Sequence, residues 1–520
     1  MKVLFLWWMA LLVSGVSSHV LAVPTIAEGD CQVPSLAVNI NTGKLEMDVT
    51  DCLTDGSIWK LEVDAVNKPG YYAPEEKANY TVAYLPFISD QQAHWEIRGQ
   101  MPDARFASFQ SYDNVGVNVD FLTDNDFQPD LGSVNWIQAK QRYPGANLLN
   151  YTVPVYEIAN LDSIEAVEVD GRLYVARDSS DGSRQHAVVM RTYFNYKRNA
   201  SSKPDDVTEF EWLKRGQVDL PRIFYVVDDA SAPHFTSVEQ ARSNINPITT
   251  MRIIAAAMDA TGKAMKEFLD TISPTTRLWQ NPTEWVMNDL PTTTYGKMLT
   301  PEEEPLLGLL WQQVLKLFPE TQAYPNEATR YFIGGVNQSF GEVHLTRFKL
   351  PITPDPDKGD IIDDDDYDMR YFSVCLHNAL TLFTVKCIDD SNLVADADGF
   401  VTVVTTNTKT APIDPGTGRR ANNWFEFTSP NNIFFIRHQW PNENFTQSLW
   451  HYGQTCDSQT SCSQASLDLQ AIENWTGDYY PVSQYCSINN YQYNACAWTF
   501  NAFQEWLYEH FPQAFKRRYG

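Results

Sequence analysis

Two stretches of this chain, Asp103-Ala104-Arg105-Phe106-Ala107-Ser108 and Asp368-Met369-Arg370-Tyr371-Phe372-Ser373, share the pattern Asp-x-Arg-aromatic-x-Ser. Both continue as apolar or aromatic sequence, one to Asp113 and the other to Asn378. An internal repeat limits architecture before function is considered, and this one predicts a strand-rich module present twice. Side chains alternate faces along a strand. Asp103, Arg105, Ala107, Phe109, Ser111 and Asp113 would then share a face, as would Asp368, Arg370, Phe372, Val374, Leu376 and Asn378. Each copy sets an acid and an arginine two apart at the entrance of a strand. One reading is an ion pair anchoring the strand at the rim of a sandwich. The other is that Arg105 and Arg370 grip a ligand's carboxylate or sulfate, since a guanidinium suits bidentate oxyanion binding.

The hydrophobic period agrees with a mainly β fold, α+β overall. Tyr80–Tyr84, Trp95–Gly99, Val153–Ile158, Val188–Phe194 and Ile223–Val227 read as strands in the first half. Val343–Phe348, Leu382–Ile388, Phe400–Val404 and Ile433–Pro441 do so in the second. Between them the period changes. Residues 249–272 carry apolar side chains at helical spacing, and Pro301-Glu302-Glu303-Glu304 opens a second helix that Pro319 closes. The expected order is a leader over 1–22, a β-rich unit over 23–235, a helical insert over 236–330, a β-sandwich unit over 331–455, and a stapled aromatic tail over 456–520 ending in a helix.

Residues 1–22 read as a secretory signal: Lys2, an apolar run from Val3 to Val13, and small residues up to Ala22. No later run is apolar enough to span a bilayer. A secreted or periplasmic protein follows. All eight cysteines lie beyond the leader and fall in neighbouring pairs: Cys31 with Cys52, Cys375 with Cys387, Cys456 with Cys462, Cys486 with Cys496. An oxidising compartment lets them bridge, and neighbour pairing is the simplest connectivity. Zinc lacks support from spacing, since no C-x-x-C and no matched histidines occur. Sequons at Asn79, Asn150, Asn199, Asn337, Asn444 and Asn474 fit an exported glycoprotein. A net charge of −26 with no basic stripe excludes nucleic acid as a partner class.

Residues 368–450 resemble a family of exported bacterial proteins built from tandem β-rich halves and classed as domains of unknown function. The resemblance rests on Arg370-Tyr371-Phe372-Ser373, on Asp398-Gly399-Phe400-Val401-Thr402-Val403, on Asn423-Trp424, and on Phe434 through Pro441. The first half is similar around Ala104–Asp113 and Pro129–Asn135. It implies β-sandwich or jelly-roll-like units and carries no activity. The cysteines and the Trp/Tyr-rich tail depart from the pattern.

Several constellations could carry chemistry. Calcium is the cofactor candidate: Asp396 and Asp398 precede a glycine turn, and Asp120, Asp124, Asp126 and Asp130 crowd another loop. Asp-Gly turns between strands explain the same residues without a metal, and the separate run Asp363–Asp366 reads as solvated linker. No zincin, nucleophile-elbow or P-loop motif is present. His377 with Asn378 at a strand end is the acid/base candidate, and Arg437 and His438 could converge with it. Trp424, Trp440, Trp450 and Tyr112 are platform candidates for sugars or flat ligands, with core filling as the alternative. The ligand-binding set is thus Arg105, Tyr112, Asp113, Arg370, Arg437, His438, Trp424 and Trp440. Three functions compete: a secreted binder of glycans or other polar ligands, an extracellular enzyme (a saccharide hydrolase or lyase, or a small-molecule cyclase or isomerase), and an envelope interaction protein.

Overall fold

The computed structural model describes residues 36–51, 59–63, 75–88, 92–112, 118–144, 149–158, 169–176, 185–194, 208–237, 240–241, 283, 285–288, 326–362, 365–378, 384–454, 468–492 and 496. The expected leader, the two helices of the insert, the terminal helix, Asp113, Asn199, Cys31, Cys52, Cys456 and Cys462 lie outside the described residues.

The described chain is mainly β. Its first part runs β1 (Ala37–Val38), β2 (Leu45–Asp48), β3 (Lys60–Val63), β4 (Ala78–Pro86), β5 (Ala93–Gln100), β6 (Ala104–Tyr112), β7 (Asn118–Thr123), β8 (Asn150–Ile158), β9 (Leu173–Ala176), β10 (Gln185–Phe194), helix α1 (Glu209–Lys214) and β11 (Arg222–Val227). Its second part runs β12 (Val286–Asn288), β13 (Thr329–Asn337), β14 (Val343–Lys349), β15 (Met369–Asn378), β16 (Thr384–Asp389), β17 (Phe400–Thr406), β18 (Trp424–Glu426) and β19 (Asn431–Pro441). Helices α2 (Leu449–Gly453) and α3 (Leu469–Thr476), β20 (Val482–Cys486) and helix α4 (Ile488–Gln492) complete it.

The first part forms two sheets, ordered β1-β2-β11-β5-β8-β9 and β3-β4-β10-β6-β7. The second forms β12-β13-β19-β15-β16 and β18-β17-β14-β20. Each strand from β3 to β11 thus has a counterpart nine places later with matching neighbours, except that β11 also pairs with β2 whereas β20 stands at an edge. The agreement extends to strand direction: β8 pairs with β9 in parallel, and so does β17 with β18, whereas the other pairings are antiparallel. The two Asp-x-Arg motifs open β6 and β15, which are counterparts.

Two readings change. Asp120 belongs to β7 and not to a loop; its carboxylate accepts the backbone N–H groups of Phe121 and Tyr174, both at 2.8 Å. Residues 482–486 of the expected tail form an edge strand beside β14. The tail sequence hides this strand, because Val482-Ser483-Gln484-Tyr485-Cys486 puts Ser483 where an apolar residue would signal an inward face.

Each pair of sheets encloses one apolar core. The first gathers Trp95, Ile97, Phe109, Tyr151, Val153, Met190, Ile223 and Tyr225. The second gathers Trp285, Phe332, Phe372, Val374, Val403, Phe434 and Ile436. The counterpart rungs differ in polarity. Where β5 and β11 pair Trp95 with Tyr225 and Ile97 with Ile223, β14 and β20 pair His344 with Tyr485 and Thr346 with Ser483. These polar groups satisfy one another: His344 Nε2 lies 3.1 Å from Thr283 Oγ1, Thr346 Oγ1 lies 3.0 Å from Ser483 Oγ, and Trp285 Nε1 donates to Ser483 Oγ at 2.9 Å. Such bonding is what lets polar groups stay inside a core.

Trp285 also limits β13. A Cβ built on Gly334 would lie 2.7–2.9 Å from three atoms of the Trp285 ring. Gly334→Ala should therefore cost about 1–3 kcal/mol in urea unfolding, because the indole is packed on all sides and cannot give way. A cost within experimental error would mean that the ring has room to move.

Sequons at Asn79 and Asn337 fall inside β4 and β13 and are buried, so a glycan on either has no room in the folded sheet. Asn150, Asn444 and Asn474 are exposed. No helix among the described residues is long and apolar enough to cross a membrane.

Candidate functional site: the seam between the two units

The repeated arginines meet at the junction of the two units, and each reaches across it. Arg105, at the start of β6, clamps the Asp390 carboxylate with both Nη atoms, Nη2 lying 2.7 Å from Oδ2. The same Nη2 donates to the carbonyl of Arg370 at 2.7 Å. Arg370, at the start of β15, donates through Nη1 to Asp124. The two aspartates occupy matching places just after β7 and β16. Asp124 Oδ2 accepts the Ala107 N–H at 2.8 Å, and Asp390 Oδ2 accepts the Phe372 N–H at 3.0 Å. The result is a reciprocal exchange of ion pairs, with all four side chains at least 92% buried. Burial opposes charge on Arg105, but Asp390 more than offsets that and holds its pKa above the usual value.

An ion pair at each strand entrance was expected, but the partners are not the motif's own acids. Asp103 accepts instead from Gln217 Nε2 at 3.1 Å. Asp368 accepts from the Ile352 N–H at 2.8 Å and the Tyr479 hydroxyl at 3.4 Å. A carboxylate two residues from an arginine on an extended strand points the same way but is no nearer than a residue folded in from elsewhere. The two partner aspartates stand at nearly the same interval behind the arginines, Asp124 after Arg105 and Asp390 after Arg370, although each is bound by the arginine of the other copy. That second echo was readable in the sequence.

Deeper in the seam, the facing sheets repeat a rung of tyrosine, arginine and serine. Arg191 of β10 stands between Tyr80 and Ser108, and Arg437 of β19 stands between Tyr331 and Ser373. Arg191 donates to Gln110 Oε1 at 2.7 Å and to the Tyr112 hydroxyl at 2.5 Å. Arg437 Nη1 donates to the carboxylate of Glu75, a fully buried residue of the first unit. The Ser373 hydroxyl donates to the same carboxylate at 2.5 Å. Tyr193 and Tyr371 meet across the seam as a tilted pair with ring centroids 5.1 Å apart. Charges buried this deeply persist only when paired and hydrogen-bonded.

At its outer end the seam carries a strip of partly exposed side chains. Trp440 lies against Phe106 and Phe121 of the first unit, at 6.1 and 6.3 Å between centroids, and against Trp450 of α2 at 5.5 Å. The Arg330 guanidinium lies 4.5 Å from the centre of the Trp450 ring. Trp440 has a φ of +48°, a left-handed conformation that is costly for a bulky residue. It is held there by its N–H bond to the Ala328 carbonyl at 3.0 Å and by rings from both units. Ser448 caps α2 by accepting the His451 N–H, which fixes Trp450.

The seam thus collects Arg105, Tyr112, Arg370, Arg437 and Trp440 from the expected set. It does not collect the rest. His438 follows Arg437 on β19 and so faces the opposite way, into the second core between Phe332 and Phe372. Burial pushes its pKa down to about 3, which leaves a neutral imidazole. His377 is fully buried with its ring 4.9 Å from that of Phe435, and Asn378 ends the same strand half-buried. Trp424 is partly exposed on β18, where its Nε1 donates to Thr406 Oγ1 at 2.8 Å.

The aspartates proposed for calcium serve as turn caps and ion-pair partners. Asp124 holds Arg370, Asp126 accepts from Thr123, and Asp396 accepts from Asp398, Phe400 and Arg347. Asp130 and Asp398 lie in the turns that follow β7 and β16. Among the described residues, the group of three or more metal-binding donors that all meet within 4.8 Å of one another is Glu75, Cys375 and Cys387, which contains none of these aspartates. Cys375 and Cys387 form a disulfide, as do Cys486 and Cys496.

Glu75, Arg191, Arg330, Phe121 and Asp390 carried no signal as isolated residues. Their roles depend on which strands the fold brings together.

No family model matches this chain, and no curated protein does. Solved structures similar to it in part include one from Burkholderia cenocepacia and one from Vibrio parahaemolyticus. An uncharacterised protein from Burkholderia cenocepacia has a TM-score of 0.39 at 10% identity, over 74% of this chain and 78% of its own. The VPA0106 protein from Vibrio parahaemolyticus has a TM-score of 0.30 at 12% identity, over 72% of this chain and 86% of its own.

Proposed function

We propose that this chain is an exported bacterial ligand-binding protein whose two β-rich halves arose as a tandem pair, and that its ligand docks at the outer end of the seam. The observation that carries this reading is the strip Phe121–Trp440–Trp450–Arg330, partly exposed and built around a tryptophan held in a strained backbone. Strain of that kind survives where surrounding structure enforces it and clusters at binding sites. Indole faces suit the apolar faces of saccharides and flat rings, and a neighbouring guanidinium supplies directional donors to hydroxyl or carboxylate oxygens. A glycan or similar polar ligand with one flat face is the class this chemistry fits. Two of the disulfides expected of an exported chain, together with its acidic composition, support the location.

The test is a glycan-array screen followed by titration of tryptophan fluorescence, with and without a calcium chelator. Trp440→Ala and Trp450→Ala should each weaken binding about tenfold, the equivalent of losing one ring contact. Binding that is unchanged in both variants would place the ligand elsewhere. Turnover of a bound saccharide would move the assignment to the enzyme reading.

A further inference from the structure

We propose that Glu75, Cys375 and Cys387 form a binding site for a thiophilic divalent cation such as zinc when the Cys375–Cys387 bridge is reduced. This goes beyond the ligand-binding reading and does not depend on it. The two cysteines are directly opposed on neighbouring strands β15 and β16. Glu75 comes from the first unit, about 300 residues away in sequence, and its Oε2 lies 3.0 Å from Cys375 Sγ. The three donors are within 4.8 Å of one another and all are buried. Two sulfurs and one carboxylate oxygen make a donor set that suits zinc, with the fourth position left to water, as in zinc sites with three protein ligands.

The charges close. Reduction takes two electrons and two protons from a dithiol, which itself becomes a disulfide, and yields two thiols. Binding the cation displaces both thiol protons. Two thiolates and the Glu75 carboxylate then carry three negative charges, which the divalent cation and the Arg437 guanidinium cancel. Arg437 and Ser373 already bond to Glu75 and hold it in place, the role that outer partners of a metal ligand usually take. In the oxidised chain the sulfurs are joined and the site is closed. No zinc signature is written along the chain, because the third donor comes from the other unit. A bound cation would join the units at the point where Glu75 already crosses between them.

The test uses the full chain, treated with a phosphine reductant and then with cobalt(II), a zinc surrogate with a thiolate charge-transfer band. Native mass spectrometry counts the metal, and thermal melting gives a second readout. The reduced wild type should take up one cobalt, show the sulfur band and melt higher with cobalt than without. The Cys486→Ser/Cys496→Ser variant should do the same. The Cys375→Ser/Cys387→Ser variant should lose the band, and Glu75→Gln should weaken affinity about tenfold or more. Should the double serine variant fail to fold, Glu75→Gln alone decides. Undiminished uptake by the Cys375→Ser/Cys387→Ser or Glu75→Gln variant overturns the proposal. So does equal uptake by unreduced protein, or no uptake by the reduced wild type.

Discussion

Asp124→Ala should destabilise the protein by about 3–5 kcal/mol, because it removes the buried carboxylate that the Arg370 guanidinium binds. Asp390→Ala should cost a similar amount, because it strands Arg105 in the matching place. Each loss also frees a backbone N–H, that of Ala107 or of Phe372, inside the seam. The cost reflects an uncompensated charge and is not the net worth of the pair. Replacing both members of one pair by apolar residues of similar size, as in Asp124→Leu with Arg370→Met, should therefore recover much of the stability. Urea unfolding followed by tryptophan fluorescence and by circular dichroism measures this. The two probes also show whether the units still unfold together, since the clamps cross between them. A change under about 0.5 kcal/mol in both single variants would mean that the charges reach water and the seam is not sealed.

The second large effect is acid sensitivity. His344 and His438 lie in the second core, and burial pushes both pKa values down to about 3. In the unfolded chain a histidine titrates near its ordinary value of about 6.5. Between those values the unfolded state holds the proton and the folded state does not, so stability falls as pH drops below about 6.5. Each histidine contributes up to about 1.4 kcal/mol per pH unit over that window. By pH 4 the two together should remove up to about 7 kcal/mol, a large share of an ordinary domain's stability. Above pH 7 both are neutral in either state, and the effect vanishes. The measurement is the urea midpoint from pH 7 to pH 4 for the wild type and for a His344→Gln/His438→Phe variant. The variant should lose most of the slope. An equally steep decline in it would assign acid sensitivity to other groups.

Much of the strand content was legible because one face of each strand is apolar and alternation is a local property. β5, β6, β8, β10, β11, β14, β15, β17 and β19 all coincide with alternating or continuous apolar runs. β18 and β20 were not legible. One is three residues long, and the other faces a core made polar by His344, Thr346 and Thr283, so neither alternates in hydrophobicity. The neighbour pairing of Cys375 with Cys387 and of Cys486 with Cys496 was also readable, since short loops bring such residues together. For the seam, the sequence carried Arg105 and Arg370 and the similarly spaced Asp124 and Asp390, but not that each arginine meets the aspartate of the other copy.

The sequence by itself determined that a strand-rich pattern opening on Asp-x-Arg occurs twice, because side-chain period and residue order are written along the chain. Only the tertiary structure decided that each arginine answers an aspartate of the other unit, that Glu75 reaches Arg437 and Cys375, and that Trp440 is wedged between rings from both halves. Those contacts join residues hundreds of positions apart. Which distant groups share a low-dielectric interior is set by how sheets stack, and local sequence does not encode it.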